Sequence, residues 1–480
     1  MIRRARRYLD VRGMPTDAML RSVLSEHVRN LPRLGMLRDY YLGNSPIMSR
    51  VRAKGLPNNR IAHPIARYIV SVATGYLAGQ PVAYAIDGEQ EQAALDPITE
   101  MYARCAISSV DAENARNASI YGRAVEYVHV QAVEGDTTQV RACAASLPPE
   151  QAFVVYDDDY HFTPLFGVYY IQDTKEDGSP DGYRLWISGK KLIRECKIGD
   201  LGAASIHEIA VTDHFFGDVP MVEYWNDDQE RGDFESVISL IDAYDKLESD
   251  RVNDKEQEVD KLLLLTGCTM ETDERGREPW QQLREDKALC LPDTQAQASY
   301  LDGASASSED EIMRGALIAD IHKMSMVPDL SDKDFANNVS GVAMRYKLWG
   351  LEQLTNVKQQ WFMEGLRARL KLFAHFAEVK GFSQLDVDNV KITMTRALPA
   401  NNLEYAQLAQ TADAAGAAST ETKVRMLHAA DNWTDEMVQA EVERIQGESE
   451  SAADPLAQYG NMLMGDTTDQ LGAQQDQEER

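Results

Sequence analysis

The hydrophobic pattern in the first half of the chain changes from helical to strand-like near residue 122. The first 45 residues predict helices broken at Pro32 and Gly35, and residues 61–79 form an apolar helix that Asn58 or Asn59 would cap. Two more helical patterns cover residues 96–106 and 109–121 before an alternating, strand-like run begins at residue 124. Five further strand-like runs follow between turns: 153–156, 165–171, 183–187, 191–197 and 207–212. The pattern predicts an α+β domain over residues 1–232.

Residues 233–326 predict two helices with a small subdomain between them. Residues 233–261 contain no Gly or Pro and are apolar on one face only in their first half. At 1.5 Å per residue this helix would reach about 40 Å, and we expect its polar half to project and to be supported by neighbouring chains. Residues 262–305 predict two or three short strands and one small helix. The acidic turn at 309–311 favours the start of a returning helix within 306–326.

The last third predicts a polar break, a second long helix and a helical C-terminal region. The break covers residues 327–340, and the segment 341–402 contains a helix to about residue 380 and a strand at 390–395. Trp349, Trp361 and Phe362 on that helix are expected in the core rather than in a binding site. Residues 403–448 predict short Ala-rich helices, and residues 449–480 predict a disordered acidic tail. The fold class is therefore α+β, mainly helical.

The charge argues against a protein that grips nucleic acid tightly. Forty-nine Lys and Arg residues stand against 77 Asp and Glu residues, a formal net charge of −28. Neutralising phosphates requires cations, so a basic wrapping surface is excluded, whereas DNA that passes without being held remains compatible. The apolar stretch 61–79 contains His63, Pro64 and Arg67 and falls short of the ~20 residues of a membrane span, so we expect a core helix and no membrane partner.

The candidate chemistry is sparse. The sequence contains no phosphate-binding P-loop, dinucleotide-binding glycine motif, HExxH zinc motif or GxSxG elbow. Asp157-Asp158-Asp159, with His161 nearby, is the best acid–base or metal candidate. Consecutive residues on a strand point to opposite faces, so we expect a solvated turn there, with a metal-dependent hydrolase as the alternative. We predict no catalytic residues, no metal and no cofactor.

Five cysteines are scattered without a CxxC pair: Cys105, Cys143, Cys196, Cys268 and Cys290. Their odd number and wide spacing favour free buried thiols over disulfides or a zinc site.

Three groups of segments, in order, resemble the Gp6-like portal proteins of tailed double-stranded DNA phages, the family typified by phage SPP1. The first group is Pro57-Asn58-Asn59-Arg60-Ile61, Ala66-Arg67-Tyr68-Ile69-Val70 and Gly75-Tyr76-Leu77-Ala78-Gly79-Gln80-Pro81-Val82. The second is Val219-Pro220-Met221-Val222-Glu223-Tyr224 followed by residues 232–244, and the third is residues 339–352. The resemblance covers roughly residues 40–400. The three motif groups occur in the same order as in the family, which makes the resemblance stronger than any one group alone.

The resemblance implies a dodecameric ring at one vertex of the capsid. The α+β region 1–232 and the segment 341–402 would form the wing, 233–261 and 306–326 the stem, 262–305 the clip and 403–448 the crown. Its partners would be double-stranded DNA in the channel, the terminase large subunit, a head-completion or adaptor protein, and capsid and scaffolding proteins. The protein would be assembled in the bacterial cytoplasm and reside in the virion. A helical structural adaptor without a DNA channel is the other alternative.

The resemblance places two sets of site residues. The break 327–340 would be a tunnel loop beside DNA, although an ordinary interhelix loop is the alternative. Ser331, Asn337 and Asn338 would offer exchangeable hydrogen bonds to DNA, and Lys333 would supply one cation. Asp332 and Asp334 would repel phosphates, and Phe335 is expected to pack against the protein. Arg277, Trp280 and Arg284 would dock partners at the clip, with anchoring of the small subdomain an equal alternative for Trp280.

Overall fold

The computed structural model describes residues 1–54, 56–133, 136–202, 205–259, 263–266, 297–300, 307–330, 346–396, 402–428 and 435–453. The described residues belong to two units. The first comprises the described parts of Met1–Ala336 and Tyr346–Ala397, and the second those of Leu398–Arg480. About half of the described residues are helical, and the remainder includes several β-sheets. The prediction of a fold that contains both helices and strands is confirmed.

Seven helices are described in the first unit and three in the second. The first unit contains α1 Asp17–Leu42, α2 Ile65–Ala78, α3 Glu89–Arg104, α4 Ile107–Tyr121, α5 Ile238–Val259, α6 Ser307–Ser325 and α7 Trp349–Val379. The second contains α8 Asn402–Ala414, α9 Thr420–Leu427 and α10 Asp435–Ala453. The predicted break in the first helix is wrong, because α1 continues through Pro32 and Gly35. Burial of Leu34 and Leu37 stabilises the helix beyond the proline.

Thirteen strands form four sheets in the described residues. The strands are β1 Ile2–Arg4, β2 Ala83–Ala85, β3 Arg123–Val133, β4 Asp136–Leu147, β5 Ala152–Asp157, β6 Pro164–Thr174, β7 Pro180–Ser188, β8 Leu192–Ile198, β9 His207–Asp213, β10 Met221–Trp225, β11 Leu263–Thr266, β12 Gln297–Tyr300 and β13 Lys391–Thr393. The largest sheet has the order β1-β5-β6-β7-β8-β9, and the others are β10-β3-β4, β11-β12 and β13-β2. Among the described strands only β1 pairs in parallel, with β5. The predicted strand runs coincide with β3 and β5–β9 to within one residue or lie inside them, whereas β1, β2, β4 and β10 were not predicted.

The helix α7 packs against the three-stranded sheet and forms the largest core of the first unit. Phe362, Leu366 and Phe373 are fully buried there beside residues of α2, α3 and α4. Gly365 lets α7 approach the ring of Tyr224 on β10, since a Cβ atom at that position would overlap the ring. The core prediction holds for Phe362 and is wrong for Trp349, which begins α7 and is 61% exposed.

Two buried ion networks fix α7 to the rest of the core. Arg369 is fully buried and donates hydrogen bonds to Asp111 on α4, to Glu126 on β3 at 3.1 Å, and to Tyr84 on β2 at 2.9 Å. Desolvation by burial raises the pKa of Glu126, although the nearby guanidinium opposes this. Buried carboxylates of this kind require a paired cation, so Arg369 ties three elements to α7.

The second network centres on Asp233, which precedes α5. Lys358 on α7 donates to its carboxylate at 2.6 Å, Asn226 donates at 2.8 Å, and Ser119 donates to it as well. All four residues are buried. The start of the α5 segment is thereby fixed to α4 and α7.

The expectation that the cysteines are free thiols is wrong for one pair. Cys105, just after α3, and Cys143 on β4 form a disulfide across 38 residues of sequence. The β3–β4 hairpin places Cys143 next to the end of α3, a proximity that spacing along the chain does not reveal. Cys196 is a buried free thiol, and burial raises its pKa to about 11. Cys268 and Cys290 lie outside the described residues.

We expect the substitution Arg369→Met to destabilise the first unit by roughly 3–5 kcal/mol, because it leaves two buried carboxylates without their cation. A carboxyl group whose pKa is higher in the folded than in the unfolded state binds more protons when folded, so stability falls as pH rises through that range. The deficit should therefore be larger at roughly pH 8 than at roughly pH 5. Denaturant titration followed by circular dichroism at both pH values measures it.

Lys371→Met is the matched control, because Lys371 lies two residues further along α7 and its side chain is exposed. It should shift the transition little at either pH. An Arg369→Met protein as stable as the control would show that the buried network contributes no net stability.

Candidate functional site

The helices α5 and α6 pack against each other as the predicted out-and-back pair. The strands β11 and β12, which follow α5 and precede α6, pair antiparallel with Leu263 opposite Tyr300. The chain thus leaves along α5 and returns along α6. The predicted clip residues Arg277, Trp280 and Arg284 lie outside the described residues.

Four charged side chains link the two helices. Arg251 on α5 pairs with Glu248 at 2.9 Å and with Glu311 on α6 at 3.0 Å. Arg314 pairs with Glu311 at 2.8 Å and lies 3.8 Å from Glu248. The hydrogen bond from Arg314 is the main cause that lowers the pKa of Glu311. These exposed pairs set the register between the helices more than they add stability.

Residues 59–63 form an extended segment that lies along the polar face of α5. The backbone N–H groups of Asn59, Ile61 and His63 donate to Asn253 Oδ1 at 2.7 Å, Ser249 Oγ at 3.0 Å and Asp245 Oδ1 at 2.8 Å. Two residues of extended chain rise about 6.6 Å and four helical residues about 6 Å, so alternate N–H groups match every fourth helical position. We call this arrangement the α5 ladder.

The three helical side chains of the α5 ladder are fully buried. Asp245 also accepts from Ser45 at 2.6 Å, and Asn59 Nδ2 reaches Glu256 at 2.6 Å. Arg50 and Arg52 both pair with Asp250 at 2.8 Å. The same chain thus covers much of the polar face of α5 up to Glu256.

The α5 ladder bears on two sequence expectations. Residues 45–63 of the same chain support one side of the polar half of α5, and support of the remaining sides by neighbouring chains stays a prediction. Asn58 and Asn59 were expected to cap the following helix, but α2 begins at Ile65 after Pro64, without a side-chain cap. Asn58 donates instead to Arg50 O at 3.0 Å. The polar residues at 245, 249 and 253, spaced by four, were the signal that could have revealed this contact.

The returning helix α6 is covered on one side only. Between residues 309 and 325 only Ile321 and Ser325 are buried. Ile312 is 73% exposed, and Met313 and Met324 are each 55% exposed. Exposed apolar side chains on a helix of one chain offer contacts for another chain.

The segment after α6 is described as far as Leu330. Val327 is fully buried, and Tyr68 on α2 bonds to the backbone of the residues that follow. The predicted tunnel-loop residues lie outside the described residues: Ser331, Asp332, Lys333, Asp334, Phe335, Asn337 and Asn338.

The aspartate candidate is occupied by contacts within the chain. Asp157 ends β5, is buried, and accepts from Arg6 N at 3.2 Å while pairing with Arg6 Nε at 3.1 Å. Asp159 Oδ1 accepts from His161 N at 3.1 Å within the turn. The described residues contain no cluster of three His, Cys, Asp or Glu side chains that could hold a metal ion. The arrangement does not favour a hydrolase.

No helix within the described ranges is long and apolar enough to cross a membrane.

We expect Asn253→Ala to loosen residues 50–60 from α5, because it removes the acceptor for two N–H groups of Asn59. Leaving those donors unpaired costs about 1–3 kcal/mol locally. Limited trypsin digestion at Arg50, Arg52, Lys54 and Arg60 should therefore be faster by about tenfold. Mass spectrometry of the fragments measures the rates.

Asp254→Ala is the control, since Asp254 is the exposed neighbour on α5. Equal digestion rates for the two variants would mean that the α5 ladder does not hold the extended segment.

Residues 20–455 match the family model described as phage portal protein, SPP1 Gp6-like. A portal protein of Clostridium phage phiCD119 is 22% identical over 472 residues, which cover 92% of this chain and 98% of that protein. The match extends beyond the three motif groups on both sides. The chain therefore belongs to the SPP1 Gp6-like family of phage portal proteins.

Proposed function

We propose that copies of this chain assemble into a dodecameric ring at the portal vertex of a tailed double-stranded DNA phage or prophage. DNA enters through the axial channel during packaging and leaves through it at ejection. The family match over residues 20–455 supports this, as does the relative that is itself named a portal protein. The role is structural, and a separate terminase would supply the energy of packaging.

The exposed face of α6 is the observation that carries the ring. Ile312 and Met313 lie near one end of α6 and Met324 near the other, and the described part of the same chain leaves more than half of each side chain exposed. Charges at residues 248, 251, 311 and 314 set the register of the pair α5–α6 within one chain. These exposed side chains of α6 are therefore free to pack on the helix pair of the next copy, and repetition of that contact around an axis closes a ring.

The order of the elements supports the following assignment of the portal regions. Residues 1–232 and 341–402 form the wing, 233–261 and 306–326 the stem, 262–305 the clip, 327–340 the tunnel loop and 403–448 the crown. The clip docks the terminase large subunit and later the head-completion protein, through Arg277, Trp280 and Arg284. Capsid and scaffolding proteins complete the set of partners, and the ring assembles in the host cytoplasm before it becomes part of the virion.

The acidic charge suits a channel through which DNA must move. The chain as a whole carries a formal net charge of −28. Carboxylates beside DNA repel phosphates and reduce the counterion release that makes DNA adhere. A stem lined in this way guides DNA without holding it.

We expect Ile312→Asp to weaken ring assembly without unfolding the chain, because the side chain is exposed in one copy and buried only between copies. Loss of about 1.5–3 kcal/mol of apolar burial weakens association by roughly 10–100-fold at each contact. Light scattering and negative-stain electron microscopy should show smaller species where the unaltered chain forms rings.

Ile209→Asp makes the same change on β9 at an isoleucine that is 52% exposed. Rings that persist with Ile312→Asp would remove the α6 face from the interface. Closed oligomers without an axial opening would instead favour the structural adaptor.

Deletion of residues Ser331 to Asn338 should abolish DNA packaging while rings still form. The loop is proposed to act on DNA, whereas the exposed side chains of α6 carry the contacts between copies. An in vitro packaging assay with purified terminase and DNase protection measures it, and electron microscopy checks the rings. Normal packaging by rings that lack these residues would assign 327–340 to an ordinary interhelix loop.

A further inference from the structure

The chain turns sharply where α6 ends and the proposed tunnel loop begins. Met326 has a φ of +58°, a left-handed conformation that is strained for a side chain of this size. Ser325 Oγ accepts from Val327 N at 3.4 Å, and Val327 is fully buried. Met326 keeps this strained backbone conformation because the residues after it, from Val327 onward, are held in place.

Tyr68 on α2 holds those residues by two hydrogen bonds from one hydroxyl group. Its O–H donates to Pro328 O at 2.9 Å, and its oxygen accepts from Leu330 N at 2.8 Å. Desolvation by burial raises the pKa of Tyr68, so the hydroxyl keeps the proton that it donates. One side chain of the wing thus satisfies a carbonyl and an N–H group two residues apart.

His322 on α6 completes the contact from the other side. Its ring lies edge-on to the ring of Tyr68, with centroids 5.7 Å apart, and its Nδ1 lies 2.9 Å from Val327 O. Asp329 Oδ2 is 4.0 Å from His322 Nε2. Residues 327–330 are therefore fixed to α2 and to the last turn of α6.

The helix α2 is a rigid support for this contact. Ile69 and Val70, directly after Tyr68, are almost completely buried, as are Ile65 and Ala66 before it. The only route from α6 to residues 331–338 passes through the four residues that Tyr68 and His322 hold. A group fixed on a buried helix transmits its position to the chain that it binds.

We propose that Tyr68 is a positioning residue for the tunnel loop: its hydroxyl fixes residues 328–330 to the wing and so sets where residues 331–338 begin. The inference rests on the proposed function of 327–340. Tyr68 contacts no DNA in this scheme and acts only through the backbone of the loop's first residues.

The test is Tyr68→Phe in the full-length chain, which keeps the ring and removes both hydrogen bonds. Hydrogen–deuterium exchange of peptides within residues 326–336 should become faster by on the order of tenfold, while peptides from α2 and α7 stay unchanged. Rings should form normally, and the yield of packaged DNA should fall severalfold. A role limited to the stability of α2 would instead raise exchange throughout that helix.

Tyr76→Phe is the matched control. Tyr76 lies two turns further along α2, and its hydroxyl donates to Glu352 on α7 at 2.5 Å rather than to the loop. It should leave exchange in residues 326–336 and packaging unchanged. Leu330→Pro tests the same contact from the loop side, because it removes the N–H group that donates to the Tyr68 hydroxyl and leaves α2 unchanged. Leu330→Ala controls for the loss of the leucine side chain.

Unchanged exchange in residues 326–336 with Tyr68→Phe and Leu330→Pro would overturn the inference, as would faster exchange with normal packaging. Failure of Tyr68→Phe to form rings, with normal packaging by Leu330→Pro, would also overturn it and make Tyr68 a residue of the fold alone. These outcomes are separate from the proposed function: if the deletion of 331–338 abolishes packaging while Tyr68→Phe does not, the tunnel loop stands and only the positioning role fails.

Discussion

The need to satisfy polar groups on long helices organises the first unit of this chain. Asp245, Ser249 and Asn253 would be costly if buried against apolar side chains, and the N–H groups of residues 59, 61 and 63 would be equally costly without acceptors. The α5 ladder pairs each set with the other. It thereby attaches α5 to the segment that leads into α2, and α6 packs on α5.

The same requirement determines how α7 sits on its sheet. Lys358 and Arg369 are eleven residues apart, which is three helical turns, so both lie on the buried face. Each enters the core with carboxylates already placed on other elements, Asp233 before α5 and Asp111 with Glu126 on α4 and β3. A buried ion pair specifies which elements meet, because removing one partner leaves a charge that apolar packing cannot compensate. Because the chain has 77 Asp and Glu residues but only 49 Lys and Arg residues, the two cations that neutralise buried carboxylates are especially important for the fold.

Much of the secondary structure could be predicted because it depends on local pattern. The helices α2, α4, α5 and α7 and the strands β3 and β5–β9 follow from apolar spacing along the chain, and α6 follows from its acidic first turn. The strands β4 and β10 were missed, because β4 contains Ala and Thr in place of an alternating apolar pattern and β10 is a five-residue run that is buried almost throughout. The Cys105–Cys143 disulfide was missed because its two residues meet only through the β3–β4 pairing.

The sequence by itself determined the family, since three motif groups in order and the match over residues 20–455 need no coordinates. It also determined the out-and-back pair, because helical periodicity and the charged half of α5 are local properties. Only the tertiary structure showed that Asn59 binds α5 instead of capping α2, and that Tyr68 bonds to the backbone of residues 328 and 330. The physical reason is that nearly every residue type has the same backbone N–H and C=O groups, so a hydrogen bond to them does not require a particular side chain at that position. A contact between residues 68 and 330 therefore leaves no pattern in the sequence and appears only when the chain is folded.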